Sequence, residues 1–557
     1  MRSKRTARRA GASSGSFRLD RVVMTKKKKK GKAKAEKRSP EERFAAARAD
    51  AAEAAVSAIR AYGYSSGGAS RSKPSMKGWD YESASPQKDI DANLETLRKR
   101  SRSLYYNAPV ATSAVNRNLV HIVGSGLRVS PKIAWRQLGI TKERADEIAA
   151  DVKFKFGIWA SSKGCDVTGQ NNFYELQQLA ILTWLIGGEV FALHAYDGAG
   201  PVGLCIRLVE GDLCCNPGDL SGFAGVDVTC AETGNRIRNG IEIDAQGRVV
   251  AYHFVKGYRD QYQNREWVRV PARGEKTDNP NVLHVFNAIR PTQYRGVPYL
   301  APVIESIKQL TRYTEAEIMA AVINGLFSVF ITSEDRQAPD FGDVGTSFFN
   351  PDGGYPEGEE VDSDDEIALG NGNIGFLQPG EAVQVVDAKR PNTNFDGFTG
   401  AMAKHIGAAL NIPAELLLMQ FTASYSASRG ALLEAWNFFS LNREWFAADF
   451  CQPIYELWLA EAVSKGIVDM PGFFADDYRR AAWCGATWTG PAPGQLNPTV
   501  EVNAAVAKMA AGLSTGEREA LAMNGSDYAE NIEQLATEKA LRIDQGMESQ
   551  DGNQNRS

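Results

Sequence analysis

Apolar residues recur at three- and four-residue steps from Val303 through Ile307, Leu310, Ile318 and Ala321 to Val322. Glu305, Lys308, Arg312, Glu315 and Glu317 fall mostly elsewhere around the wheel. The pattern predicts a helix from Pro302 to about Leu326, with Pro302 in the first turn, where its missing N–H costs nothing. At 1.5 Å per residue it would span roughly 37 Å, enough for a strut between two bodies. A second helix is expected from about Phe395 to Leu410, stopping where Pro413 forbids continuation. Between the two, Asp335 to Gly380 is acidic and glycine-rich, with GEEVDSDDE at 358–366 and short apolar islands at Phe348, Phe349 and Ile374 to Leu377. Two struts with a polar module at their far end make a stalk carrying a small head.

Elsewhere the period changes repeatedly. Glu41 to Tyr62 is an alanine-rich helix candidate, followed by a Gly/Ser/Lys linker at Ser65 to Gly78. Ile90 to Leu119 reads as helix broken near Asn107 to Pro109, running into VHIVGSGLRVSP at 120–131, where Gly124 and Gly126 imply a tight turn into a strand. Helical spacing returns at Thr141 to Trp159 and Asn172 to Ile186. Short alternating runs then dominate from Val190 to Val270, and IEIDAQGRVVAYHFV at 241–255 predicts a hairpin turning on DAQG. This half is therefore α+β, an antiparallel sheet covered by helices. A further helix from near Ser426 carries Leu432, Leu433, Trp436, Phe439, Trp445, Phe446 and Phe450 to an expected break at Pro453. That stripe reads as core or subunit interface.

Composition bounds the class. With 557 residues, 43% hydrophobic and 24% charged, the chain can hold two to four globular domains. No apolar run approaches the 18 or so residues of a membrane span; the richest, Leu179 to Ile186, is interrupted by Thr183 and followed by Gly187 and Gly188. The basic N-terminus lacks the apolar core of a signal peptide. The net charge of −3 hides an asymmetry, because residues 1–39 carry 16 Lys+Arg against 2 Asp+Glu. The remaining 518 residues carry 48 against 65, so a +14 arm precedes a −17 body. Such an arm is too charged to fold alone and reads as a solvated tail or as an electrostatic arm for nucleic acid or an acidic partner. The acidic body argues against wrapping tightly around DNA.

Catalytic chemistry finds little support. The seven cysteines form neither a CxxC nor a Cys/His ladder, so reduced thiols are expected, with adjacent Cys214 and Cys215 on a strand or turn facing opposite ways. Histidines 121, 194, 253, 284 and 405 are scattered without HExxH; His194, His253 and His284 sit in alternating apolar runs and read as interior or strand residues. GxSxG, Walker and GxGxxG motifs are lacking. Asp362, Asp364, Asp365 and Glu366 could offer oxygens to a divalent cation, but without EF-hand spacing they read as a solvated loop.

Four ordered segments carry a family resemblance over Trp79 to about Ala540. They are LRKRSRSLYYNAPVATSAVNRNLVHIVGSGLRVSP at 97–131, RPTQYRGVPYLAPVIESIKQL at 290–310, LNIPAELLLMQFTASYSASRGALLEAW at 410–436, and WTGPAPGQLNPTVEVNAAVAKMAAGLSTGEREALAMNGSDYAENIEQLATEK at 488–539. In this order they resemble the portal proteins of lambda-like tailed bacteriophages. One departure is Asn497, Pro498 and Thr499, where the family usually has an acidic residue before the proline and a lysine after it.

The resemblance implies an α+β portal fold of wing, stem, clip and crown, with long stem helices and a small antiparallel or mixed sheet in the wing. The expected division is a basic arm at 1–40, wing at 41–299, first stem helix at 300–327 and clip at 328–378. A return strand and second stem helix follow at 379–411, a tunnel loop at 412–429, a long wing helix at 430–474, crown helices at 475–545 and a tail at 546–557. It further implies a ring, commonly of twelve copies, at one capsid vertex of the virion, assembled in the host cytoplasm. Double-stranded DNA would pass through it without sequence specificity. The implied partners are the terminase large subunit, the major capsid protein and scaffold, and a head-completion or adaptor protein, with neither cofactor nor membrane. Gln420, Phe421, Thr422, Ser424, Tyr425, Ala427 and Arg429 are the candidate channel-facing residues, unless SASRG merely caps the helix that follows. Glu359, Glu360, Asp362, Asp364, Asp365 and Glu366 are the candidate docking face of the clip. The alternatives are another virion structural or scaffolding protein and a packaging enzyme, which would need a Walker loop or carboxylate cluster.

Overall fold

The computed structural model describes residues 48–50, 74, 84–197, 200–218, 226–258, 266–325, 329–333, 381–385, 394–421, 424–494 and 497–547. The chain divides into Met1–Ser83 and Ala84–Ser557, and the architecture below is that of the second unit. The arm at 1–40, nearly all of 41–83, the acidic segment 334–380 and the tail from 548 lie outside the described residues.

Helices α1 (Ala92–Asn107) and α2 (Pro109–Ile122) are separated at Ala108, whose extended backbone (φ −115, ψ 109) is what a residue before proline adopts. The turn after α2 places Gly124 at φ +57 and Gly126 at φ +105, and a Cβ on Gly126 would lie 2.5 Å from that of Tyr174. Strand β1 (Arg128–Pro131) follows. Helix α3 (Lys142–Ser161) starts on Thr141, whose side chain accepts from the Arg144 amide. Helix α4 (Phe173–Gly187) starts on a complete capping box of Asn172 and Glu175.

Two antiparallel sheets come next. Strands β2 (Val190–Tyr196) and β3 (Leu204–Glu210) join β9 (Val282–Val285) in the order β3-β2-β9. The second sheet holds β4 (Val228–Thr229), β5 (Arg236–Arg238), β6 (Ile241–Ile243), β7 (Val249–Val255) and β8 (Trp267–Pro271) in sequential order. The hairpin β6–β7 turns on 244–247, where Asp244 Oδ1 accepts from the amides of Gln246 (2.9 Å) and Arg248 (2.8 Å). Cys214 and Cys215 follow the 3₁₀ turn Gly211–Leu213 and are both buried, Cys214 in the cluster with Phe191, Ile241 and Phe254; Gly240 lies so close that a Cβ there would sit 2.5 Å from the Cys215 amide nitrogen.

Beyond the sheets the described chain is mainly helical: α5 (Ile304–Gly325), strands β10 (Val329–Ser333) and β11 (Glu381–Val385) paired with each other, α6 (Phe395–Leu410), α7 (Tyr425–Phe446) and α8 (Gln452–Ser464). The break expected at Pro453 is absent. Pro453 sits in the first turn of α8, and a π-helical turn at Ala447–Cys451 carries the winding through from α7. Strand β12 (Ala486–Thr489) pairs antiparallel with β1, and three helices close the chain: α9 (Pro498–Ala510), α10 (Gly516–Asn524) and α11 (Tyr528–Asp544). The main core joins N-terminal and C-terminal helices through Phe156, whose ring lies 5.4 Å from Tyr455, 5.2 Å from Trp458 and 5.8 Å from Phe173.

At the junction of α1, α4 and both sheets lies a buried ionic knot. Glu189 accepts from Arg98, from Arg295 Nε (2.8 Å), from the Gly296 amide (2.8 Å) and from His284 Nε2 (2.9 Å). Arg295 also donates to the carbonyls of Cys214 (2.9 Å), Gly211 (2.6 Å) and Asn239. Burial would raise the Glu189 pKa, but the charges of Arg295 and Arg98 and the His284 hydrogen bond outweigh it and hold the carboxyl well below its usual range. Glycines make the approach possible: a Cβ on Gly296 would lie 2.0 Å from the Gly188 carbonyl oxygen.

Glu189→Ala is expected to lower stability by about 3–5 kcal/mol, since it leaves two buried guanidiniums without their anion, and thermal melts read this directly. A loss under about 1 kcal/mol would contradict that role. Asp91 is buried beside the knot, and burial pushes its pKa up to about 6 from 3.8 despite the pull of Arg295. Its folded value exceeds its unfolded one, so ionised Asp91 destabilises the fold, and stability falls as pH rises through that window. Asp91→Asn should therefore raise the melting temperature at pH 7, by an amount that vanishes as pH approaches about 4; a pH-independent gain would exclude this cause.

Candidate functional site

The stalk predicted from periodicity is a two-helix hairpin. Tyr313 of α5 stacks on Phe395 (5.8 Å) and meets Phe398 edge-on (4.6 Å) on α6, so aromatic contacts clasp the two helices. At its base Val303, Ile307 and Leu310 join the main core. Further along α5 the same apolar period emerges into the open, with Ile318 58% and Val322 49% exposed and Met319 exposed beside them. An amphipathic helix normally turns such a stripe toward a core. Here the described chain leaves half of it uncovered.

Helix α6 ends at Asn411, which takes the left-handed conformation (φ 54), and Ile412 donates back to the Gly407 carbonyl (2.9 Å). The Tyr299 hydroxyl donates to the Leu410 carbonyl, and Ser113 Oγ donates to that of Leu417 (2.7 Å), so the chain after the hairpin is fastened to α2 and to the segment before α5. A short helix, Ala414–Leu418, closes on Met419, again left-handed (φ 56). Gln420 and Phe421 are exposed, as are Ser424 and Ala427; Thr422 lies outside the described residues.

Of the two readings of 424–429, tunnel loop or start of the following helix, the helix expected from near Ser426 matches the structure. Tyr425 begins α7, and the Ser428 amide donates to the Ser424 carbonyl (3.0 Å), so Ala427 and Arg429 occupy its first turns rather than a free loop. Arg429 donates to Glu501 on α9, which directs this guanidinium to the C-terminal helices. Farther along α7, Arg443 donates to the carbonyls of His121 (2.6 Å) and Ile122 (2.9 Å), capping the end of α2, and burial lowers its pKa to about 10. The clip candidates Glu359, Glu360, Asp362, Asp364, Asp365 and Glu366 lie outside the described residues.

The C-terminal helices are fastened by charge to α3 and to the segment after β1. Lys153 of α3 meets Asp527 (3.0 Å) and Glu530 (2.5 Å), Lys132 meets Glu517, and Lys508 joins Glu519 within the group (3.4 Å). These tethers and the Glu189 knot were missed in the sequence. Their signals are single charged residues in helical or strand settings, and, Lys508–Glu519 aside, partners 91 to 385 positions apart leave no local trace.

Chemically demanding groups are neutralised structurally. His284 belongs to the Glu189 knot, and burial holds its pKa down despite that carboxylate. Cys230, Glu242 and His253 bring three metal-capable donors within 4.8 Å of one another. Both oxygens of Glu242 are already engaged by Arg269 (2.7 and 3.1 Å), Thr233 (2.7 Å), Asn235 (2.9 Å) and His253 (3.1 Å). That saturation makes the group a sheet-bracing polar network. His121 stacks on Phe439 at 5.0 Å, inside the core face of α7.

Comparison with known proteins points one way. The family model described as phage portal protein, lambda family, matches residues 72–443. The portal protein of Escherichia phage N15 is 25% identical over 513 residues, covering 88% of this chain and 92% of that protein. Portal protein B of Escherichia phage lambda is 25% identical over 504 residues with the same coverage. Among solved structures, a chain from the neck of a native gene transfer agent particle, computed with C12 symmetry, is 12% identical with a TM-score of 0.38, covering 78% of this chain and 94% of that one.

The Arg429–Glu501 contact predicts a measurable coupling. In a double-mutant cycle of Arg429→Ala and Glu501→Ala followed by thermal melts, the partly exposed pair should couple by roughly 0.5–1 kcal/mol; additive losses would show that it does not fasten α7 to α9.

Proposed function

Because the chain belongs to the lambda family of phage portal proteins, we propose that its copies close into a ring at one capsid vertex of the virion, with α5 and α6 as the stem around a channel for double-stranded DNA. The observation that carries this reading is the uncovered stripe Ile318, Met319 and Val322 on α5. A two-helix hairpin cannot bury two apolar faces by itself. A closed cycle of hairpins can, because each copy presents one face to a neighbour and receives another.

In this reading residues 328–378 form the clip, and Glu359, Glu360, Asp362, Asp364, Asp365 and Glu366 offer an acidic face to the terminase large subunit and then to a head-completion or adaptor protein. The outer wing meets the major capsid protein and scaffold during assembly in the host cytoplasm. Gln420, Phe421, Thr422 and Ser424 are the channel-facing residues, with Tyr425 and Ala427 at the root of α7. Arg429 acts as the anchor of that segment, since its charge is directed to Glu501. A body of charge −17 suits a conduit, because duplex DNA moves most freely past a wall with few cations to grip its phosphates. The channel reading assigns the chain no chemical step of its own.

Negative-stain microscopy of the purified full chain is expected to show rings with an axial hole. Ile318→Glu combined with Val322→Glu should leave folded, non-ring species, because unpaired carboxylates would have to be buried at the contact. Wild-type protein that forms shells or remains monomeric would sink the proposal.

A further inference from the structure

Helix α9 is inside out. Glu501 and Lys508 turn toward the chain's own body, where they meet Arg429 of α7 and Glu519 of α10. Val502, Val506 and Met509 follow at i, i+4 and i+7 on a different face, and Leu513 extends the row just past the helix end. Val506 is 53% exposed and Leu513 77%. A solvent-facing helix of a complete domain has the opposite arrangement, polar side out and apolar side in. The only buried residue of α9 is Ala505.

Helix α11 shows the same deficiency. Its 17 residues include none that is buried. Its start is pinned, with Asp527 and Glu530 on Lys153 and the Tyr528 ring so close over Gly516 that an added Cβ would lie 2.6 Å from it. The face begun by Tyr528 continues through Ile532 and Leu535, which is 57% exposed. Helices of this length draw most of their stability from packing an apolar face. Among the described residues nothing covers either face, and two such faces in one chain call for a partner.

We infer that the two faces cover each other between copies: the row Val502, Val506, Met509 and Leu513 of one chain packs on Ile532 and Leu535 of the next, forming a continuous belt. The inference rests on the ring reading, and ring geometry selects the occupant. Rotation around a closed cycle presents a different patch of each copy to its neighbour, which requires two dissimilar, mutually compatible surfaces on one chain. Duplex DNA does not fit these rows, because they offer methyl groups where phosphates need cations. The ionic tethers hold α9 by its polar side and α11 by its first turn, where Tyr528 packs over Gly516, and among the described residues Ile532, Leu535 and the α9 row stay exposed.

Cysteine cross-linking in assembled rings tests the belt. The seven native cysteines are buried, so introduced thiols dominate the reaction. Val506→Cys with Leu535→Cys, treated with a short bis-maleimide, is expected to give a ladder of covalent multimers on a denaturing gel. Each single variant, and Val500→Cys with Leu535→Cys on the opposite side of α9, should give monomers. Rings that yield no ladder, or an equal ladder from the Val500→Cys pair, overturn the belt and leave the portal reading intact; a chain that forms no rings overturns both. The unmodified chain supplies a second reading, since hydrogen exchange in peptides spanning 528–544 should slow on ring formation. Unchanged exchange between monomer and ring counts against the belt.

Discussion

Glu189 lies where the helical layer and the two sheets of the wing meet, and its carboxylate is the point on which their relative placement turns. Taking one carboxylate and two guanidiniums out of water costs several kcal/mol per ion, and the attraction among them offsets this only when every remaining donor is satisfied. Arg295 meets that condition through three backbone carbonyls, two from the turn Gly211–Cys214 and one from Asn239, so its position fixes both segments as well. Arg98 brings α1 into the same arrangement, donating also to the Gly187 carbonyl at the end of α4 (3.0 Å). The knot specifies geometry more than it adds stability. An apolar replacement could fill the space but could not bind those carbonyls in one register.

From that fixed wing the stem and the C-terminal helices project by different means. The stem is rooted in the main core through Val303, Ile307 and Leu310, so its base is held by close packing. The C-terminal helices are held by charged pairs that are partly exposed and individually worth little in water. Close packing holds the base of α5, and partly exposed ion pairs hold the C-terminal helices. In both places apolar rows are left open at the edge of the chain, the condition expected of a subunit whose core is completed by its neighbours.

Where local chemistry dictates structure, the sequence was legible. Proline and the residue before it marked the break at Asn107 to Pro109 and the end of α6, and DAQG closed its hairpin. The period of α5 gave the stem within a residue or two at its C-terminal end. What depended on distant partners was not legible. Ser426 to Arg429 could be read as loop or as the start of the following helix, and what the sequence could not show is that Arg429 meets Glu501, 72 positions on. Pro453 looked like a stop, but a π-turn ahead of it lets the helix resume. The inverted face of α9 is invisible in sequence, since a helical period shows that there are two faces and not which one turns inward.

The ladder between β1 and β12 joins segments far apart along the chain, with Thr487 Oγ1 reaching the Ser130 carbonyl across 357 positions. Closing so long a loop is entropically slow, and the second strand does not exist until most of the polypeptide has been synthesised. Until then β1 presents unpaired backbone at an edge, and Lys132 and Lys153 lack their carboxylates. The ladder therefore ties the edge of β1 to the last quarter of the chain: without Ala486–Thr489 that edge would have no strand to pair with.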